Sequence, residues 1–238
     1  MIKKGLLCTS IASAVMLGTL FISNADNNKN LIHKYNEEVK LSFDKVLNSE
    51  GIEFVKVTYD NGQWIEIYRD IDKLLERVDF YDSDGTLVTR DLTTDGGISI
   101  TTLGNDEGNY VATRLIQPKS VANENSKLLK NSMINSFFTT DVKNGLELDW
   151  ERAIFPNDEF YKYTSKDGNV YIDKETKELV KREIVSSGKV IQTIEYDKIN
   201  NKNNNSLSDI FSINAPLSTE KSRKSIDFSN IKVKDFNV

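Results

Sequence analysis

The sequence predicts an α+β fold whose body is an antiparallel sheet of about eleven strands. Three observations carry this expectation. Apolar and polar residues alternate over most of residues 52–199, turn residues punctuate the alternation at short intervals, and only residues 31–48 and 124–140 show apolar spacing of three and four.

At the amino terminus, Lys3 and Lys4 precede an apolar run from Gly5 to Ile22, and small residues follow at Ser23 and Ala25. That order of charge, apolar run and small residues reads as a signal peptide over residues 1–25, cut before Asp26. A retained anchor is the alternative, because about 18 apolar residues is near the lower limit for crossing a bilayer. Either way, the rest of the chain is expected outside the cytoplasm. Cys8 follows Leu6 and Leu7 at the start of the run rather than its end, so a lipid anchor is not expected.

Residues 26–30 are polar and asparagine-rich, which predicts a flexible spacer before the domain at 31–213. Leu31, Ile32, Tyr35, Val39, Phe43, Val46 and Leu47 then mark one amphipathic helix, with Gly51 placed to end it. Strands follow. Val55, Val57 and Tyr59 alternate with polar residues, Asp60-Asn61-Gly62 turns the chain, and Trp64–Arg69 returns as the partner. The same logic predicts strands at Leu74–Tyr81, Leu87–Leu92, Ile98–Leu103 and Tyr110–Ile116, with turns at 82–85, 95–97 and 105–108.

After Pro118, helical spacing resumes from Glu124 to Thr140. A second meander is predicted at Leu146–Phe155, Phe160–Thr164, Val170–Asp173, Leu179–Val185 and Val190–Ile199. Asn200–Asn205 reads as a low-complexity linker, Leu207–Phe211 as a helical turn, and residues 214–238 as a polar tail.

Composition narrows the function classes. His33 and Cys8 are the single histidine and the single cysteine, so histidine-dependent triads, zinc sites and cysteine redox pairs lack their residues. No cofactor or metal is expected, and binding is favoured over catalysis. A net charge of −5, with basic and acidic residues interspersed, argues against nucleic acid, which selects for basic stripes. Asp82-Ser83-Asp84-Gly85 begins like a calcium loop, but Thr93 stands where that loop needs glutamate, so a hairpin turn is expected. Asp149, Glu151 and Asp158 around Trp150 form the best carboxylate set for a glycosidase, kept as a third alternative.

The most concentrated apolar patch is Met133, Ile134, Phe137 and Phe138 in the middle helix. Core filling is its ordinary role; lining a ligand or partner site is the functional one. Phe137 shares a helical stripe with Met133, and Phe138 with Ile134, so one stripe is expected to anchor the helix and the other to border an opening. Trp64 and Trp150 join these four as candidate partner-binding residues.

The segments Val170-Tyr171-Ile172-Asp173-Lys174-Glu175-Thr176, Leu179-Val180-Lys181-Arg182-Glu183, Ile194-Glu195-Tyr196-Asp197-Lys198-Ile199 and Leu207-Ser208-Asp209-Ile210-Phe211 resemble the LolA/LolB-like superfamily of envelope proteins. Within it, the asparagine- and lysine-rich composition is similar to that of the GerS-type germination proteins of clostridial spore-formers. The resemblance implies a LolA-like half-barrel with helices on its concave side. It further implies a non-enzymatic partner of a peptidoglycan amidase in spore cortex modification, with a carrier or sensor of an acyl chain or lipoprotein as the alternative. The chain departs from that group in lacking a lipobox cysteine.

Overall fold

Nothing in residues 25–48 interrupts a helix, since the segment holds neither proline nor glycine, and α1 (Ala25–Asn48) runs its whole length. It takes in residues 26–30, so the segment expected to be a spacer is the first part of the helix. The computed structural model describes residues 25–106, 109–137, 150–153, 158–200 and 207–237. The signal segment therefore lies outside the described residues. Gly51, at φ 126°, turns the chain into the sheet; a side chain there would meet the Ile199 carbonyl oxygen at 2.7 Å.

The first meander comprises β1 (Ile52–Tyr59), β2 (Trp64–Asp70), β3 (Leu75–Tyr81), β4 (Leu87–Thr94), β5 (Ser99–Asp106) and β6 (Asn109–Ile116). The middle helix is two helices rather than one. The first, α2 (Lys119–Leu129), starts directly after Pro118, and α3 (Met133–Phe137) follows a break. The second meander comprises β7 (Glu151–Ala153), β8 (Phe160–Ser165), β9 (Gly168–Asp173), β10 (Leu179–Ser186) and β11 (Lys189–Ile199).

The expected polar tail is instead part of the folded unit. It carries a 3-10 turn at Leu207–Phe211, the short helix α4 (Glu220–Ser225) and a twelfth strand, β12 (Val233–Asn237). Ala215, Leu217, Ser222 and Ile226 of this segment are buried. All twelve strands form one open sheet in the order β12-β6-β5-β4-β3-β2-β1-β11-β10-β9-β8-β7. The α+β class and the half-barrel-like open sheet are as expected. The described residues form twelve strands where about eleven were expected, and one correction applies: the sheet is mixed, because β12 runs parallel to β6.

Directly paired residues lie on the same side of a sheet, so the registers assign sides without ambiguity. One rung crosses the sheet as Tyr163–Val170–Arg182–Ile194–Val57–Ile65–Phe80–Thr89–Gly104–Val111. Its first half is buried under α1 and α3, with Val39, Phe43, Val46, Met133 and Ile134 in the same core. Its last member, Val111, is 51% exposed.

A neighbouring rung points to the opposite side: Lys162–Tyr171–Lys181–Glu195–Lys56–Glu66–Asp79–Arg90–Leu103–Ala112. Here the burial runs the other way. Glu66, Asp79, Arg90, Leu103 and Ala112 are buried, and Tyr81, Leu87, Leu217 and Ile226 share their core beneath the carboxy-terminal segment. Three of the four helices, α1, α2 and α3, lie on one side of the sheet, and short α4 lies on the other. The core changes sides midway across the sheet: α1 and α3 cover β1 and β8–β11 on one side, the helix side, and residues 207–231 cover β3–β6 on the other, the tail side.

Candidate functional site

The predicted apolar patch of the middle helix is an anchor. Met133 and Ile134 are buried, and Phe137 packs half-buried against the same core together with buried Trp150. A buried carboxylate sets their position. Glu53 of β1 accepts hydrogen bonds from the Met133 backbone N–H at 2.7 Å and from Ser132 Oγ at 2.6 Å, with Lys198 Nζ at 3.5 Å. The free N–H groups that begin α3 thus find their acceptor on the sheet. Phe138 lies outside the described residues.

Trp64 stands on the opposite side of the sheet. Its ring stacks on Tyr81 with centroids 4.9 Å apart, and its Nε1 donates to Glu66 Oε1 at 3.1 Å. Lys56 Nζ lies 5.4 Å from the indole centroid. The six predicted binding residues therefore do not form one site: Met133, Ile134, Phe137 and Trp150 are joined in one core, and Trp64 belongs to the other side.

Beside Trp64, Asp79 forms the centre of a buried ionic node. Arg77 Nη2 donates to Asp79 Oδ2 at 2.6 Å, while Arg90 Nε and Nη2 donate to Oδ1 and Oδ2, each at 2.7 Å. The remaining guanidinium donors reach carbonyl oxygens of the carboxy-terminal segment: Ile210 and Pro216 from Arg77, Ile213 and Ala215 from Arg90. Burial by itself would push the Asp79 carboxyl upward. The hydrogen bonds and charges of Arg90 and Arg77 outweigh it and hold the group below the usual carboxylate range.

The aspartates of the segment that begins like a calcium loop close a turn. Asp82 Oδ1 accepts from the Ser83 N–H at 2.7 Å and Asp84 Oδ1 from the Thr86 N–H at 2.9 Å, closing a hairpin turn. Glu151 and Asp158 are exposed, and Asp149 lies outside the described residues.

Exposed apolar side chains occur at Leu41 of α1 and at Val190 and Ile191 of β11, and a further group lies on the helix side of the amino-terminal half. There α2 stands at the end of β2–β5 and leaves a cleft of about 290 Å³ lined by Arg69, Glu76, Thr93, Ile100, Asn125, Leu128, Leu129 and Asn131. Arg69 holds its edge: Nε donates to Glu76 Oε2 at 2.8 Å and Nη1 to the Asn131 carbonyl at 2.8 Å. Around the cleft, α2 turns Val121 and Leu128 to solvent, seven residues apart on one stripe, and Val111 of β6 and Phe236 of β12 lie exposed on the same side of the sheet. The apolar part of such a surface is suited to contact, and Arg69, Glu76, Thr93 and Ser136 give the cleft polar groups beside it. The sequence contained Leu128 within its helical periodicity, but no local signal separates an outward leucine from an inward one.

No family model matches the chain, and no curated protein matches it significantly. Among solved structures, an uncharacterized conserved protein from Thermus thermophilus is similar over 85% of this chain and 99% of its own, at 11% identity and a TM-score of 0.36. MucB in complex with MucA(peri) is similar over 74% of this chain and 54% of its own, at 10% identity and a TM-score of 0.29. Likeness this slight leaves function to the chain's own residues.

Proposed function

We propose that the chain is an exported, non-enzymatic binding protein of the cell envelope that engages another protein. The observation that carries this is the distribution of apolar surface. Where the helices cover the sheet, the space is filled by Val39, Phe43, Val57, Ile134, Ile194 and their neighbours. One group of exposed apolar side chains, Val111, Val121, Leu128 and Phe236, lies on the open helix side of the amino-terminal half, with others at Leu41, Val190 and Ile191. An open apolar face with charged surroundings fits a protein contact. Export is supported by the charge and apolar order of residues 1–25. The GerS-type resemblance of the composition and export signal makes a peptidoglycan amidase of the spore cortex the specific partner to try first.

Affinity capture with the tagged chain from sporulating cells, with proteins and extracted lipids identified in parallel, tests this. A stoichiometric protein that is lost from a Val121→Glu, Leu128→Glu variant is the expected result. Recovery of an acyl lipid with no protein would overturn it.

A further inference from the structure

We propose that β12 is a docking edge for an extended segment of a partner protein, one that alternates apolar and acidic side chains; this rests on the protein-binding reading above. Strand β12 ends the sheet. Its one flank pairs with β6 in unbroken register from Val233↔Ala112 to Asn237↔Ile116, and its other flank has no strand beside it among the described residues. The opposite end of the sheet is β7, only three residues long. An outer strand offers its unpaired N–H and C=O groups to any chain that can lie beside it.

The side chains state what that chain must carry. Val233 and Phe236, 42% and 44% exposed, give apolar contacts on the two sides of the strand. Lys232 and Lys234 are exposed on the same side as Phe236, whereas Asp235 is already answered by Arg114, with Nε to Oδ1 at 2.9 Å. The edge thus presents two lysines and no spare acid, which selects acidic residues two positions apart on the incoming strand. The apolar member of that alternation falls opposite Val233.

The same charges disfavour most pairings with a second copy of β12. Identical antiparallel strands continuing one sheet must pair positions whose numbers sum to an even total, since paired residues share a side. Registers centred on 234 or 235 then set Lys234 against Lys234 or Asp235 against Asp235, one centred on 233 sets Lys232 against Lys234, and one centred on 236 sets Phe236 against Phe236 with no like charges opposite. Like charges directly opposite are unfavourable, so three of these four registers are disfavoured while an acidic partner meets no such clash.

Fluorescence anisotropy of the full chain with two labelled peptides, one alternating valine and glutamate and one alternating valine and lysine, tests the proposal. The glutamate peptide should bind about tenfold more tightly, the scale of two cross-strand ion pairs. K232E/K234E should reverse that order. V233K/F236K should lose both peptides while its melting temperature stays at the wild-type value, because both side chains are exposed. Equal binding of the two peptides, an order unchanged in K232E/K234E, or dimerisation of the chain abolished by V233K/F236K would overturn the proposal. The two readings also fail separately: a partner captured equally by V233K/F236K removes the docking edge and leaves the binding protein, and capture of no protein removes the binding protein.

Discussion

The two halves of the sheet solve the same problem with different chemistry. Under α1 and α3, the contact side of the sheet is mostly apolar, with Val55, Val57, Ile194, Val170 and Ile172 meeting Val39, Phe43 and Ile134, and with Glu53 and Arg182 the charged residues buried among them. Under residues 207–231, a central rung is ionic, with Glu66, Asp79 and Arg90 buried in line and Arg77 beside them. The cover explains the difference. A helix such as α1 satisfies its own backbone and brings only side chains to the sheet. An irregular segment brings bare carbonyls, and a buried carbonyl without a donor costs as much as a lost hydrogen bond. Arg77 and Arg90 supply those donors to Ile210, Ile213, Ala215 and Pro216, and Asp79 keeps the guanidinium charges compensated. Polar burial here follows from irregular cover.

The largest test of that contrast removes the compensation. Asp79→Ala should destabilise by about 3–5 kcal/mol, the scale for leaving buried partners uncompensated, as read by urea denaturation. Hydrogen exchange should show residues 207–231 losing protection before α1 does; simultaneous loss would make the two halves one energetic unit. On the helix side, Ile134→Ala should cost about 2–4 kcal/mol through the cavity it leaves, and half-buried Phe137→Ala measurably less than a buried phenylalanine would. If Phe137→Ala costs as much as Ile134→Ala, the outer stripe of α3 is core as well.

Acid should sharpen the comparison further. The Asp79 carboxyl is held down in the folded state, so its contribution is present above the unfolded carboxylate value, about 3.9, and is lost as pH falls through the lower folded value. Stability measured from pH 6 downward should therefore fall in that acid range, and Asp79→Asn should flatten the fall. Replacing Glu53 with Gln should have a smaller effect, about 1–2 kcal/mol, since it weakens the acceptor for α3 without removing it. The least should come from the fully solvated pairs: Lys127→Ala is expected to cost under about 0.5 kcal/mol, because its ion pair with Glu124 is 70% and 68% exposed.

Much of the fold was legible locally. Asp60-Asn61-Gly62, Asp82–Gly85 and Ser187-Gly188 lie between period-two runs and became hairpin turns, since turn backbone is selected by residues inside the turn itself. The helix at 31–48 was visible from Tyr35, Val39, Phe43 and Val46, whose spacing reflects one buried face. Two errors share a cause. Residues 26–30 look like a spacer because they are polar, yet exposed helix is polar too; residues 214–238 look like a tail because their buried members are scattered among charges.

Membership of the site was less accessible to the chain's local chemistry. Period-two alternation says that β3 and β4 have an inner and an outer side, but Val78 and Phe80 alternate with Arg77, Asp79 and Tyr81, and either set could be inner. Only the arrival of residues 207–231 decided it, because buried arginines become favourable only where carbonyls wait for them. Likewise, Met133 and Val111 are both apolar residues in regular elements, and one is core while the other is surface. The sequence by itself determined the turns and the period of most elements, which are set within a few residues. Which side of each element meets the core, and hence which apolar residues remain for a partner, was decided by tertiary structure, through contacts between residues more than a hundred positions apart.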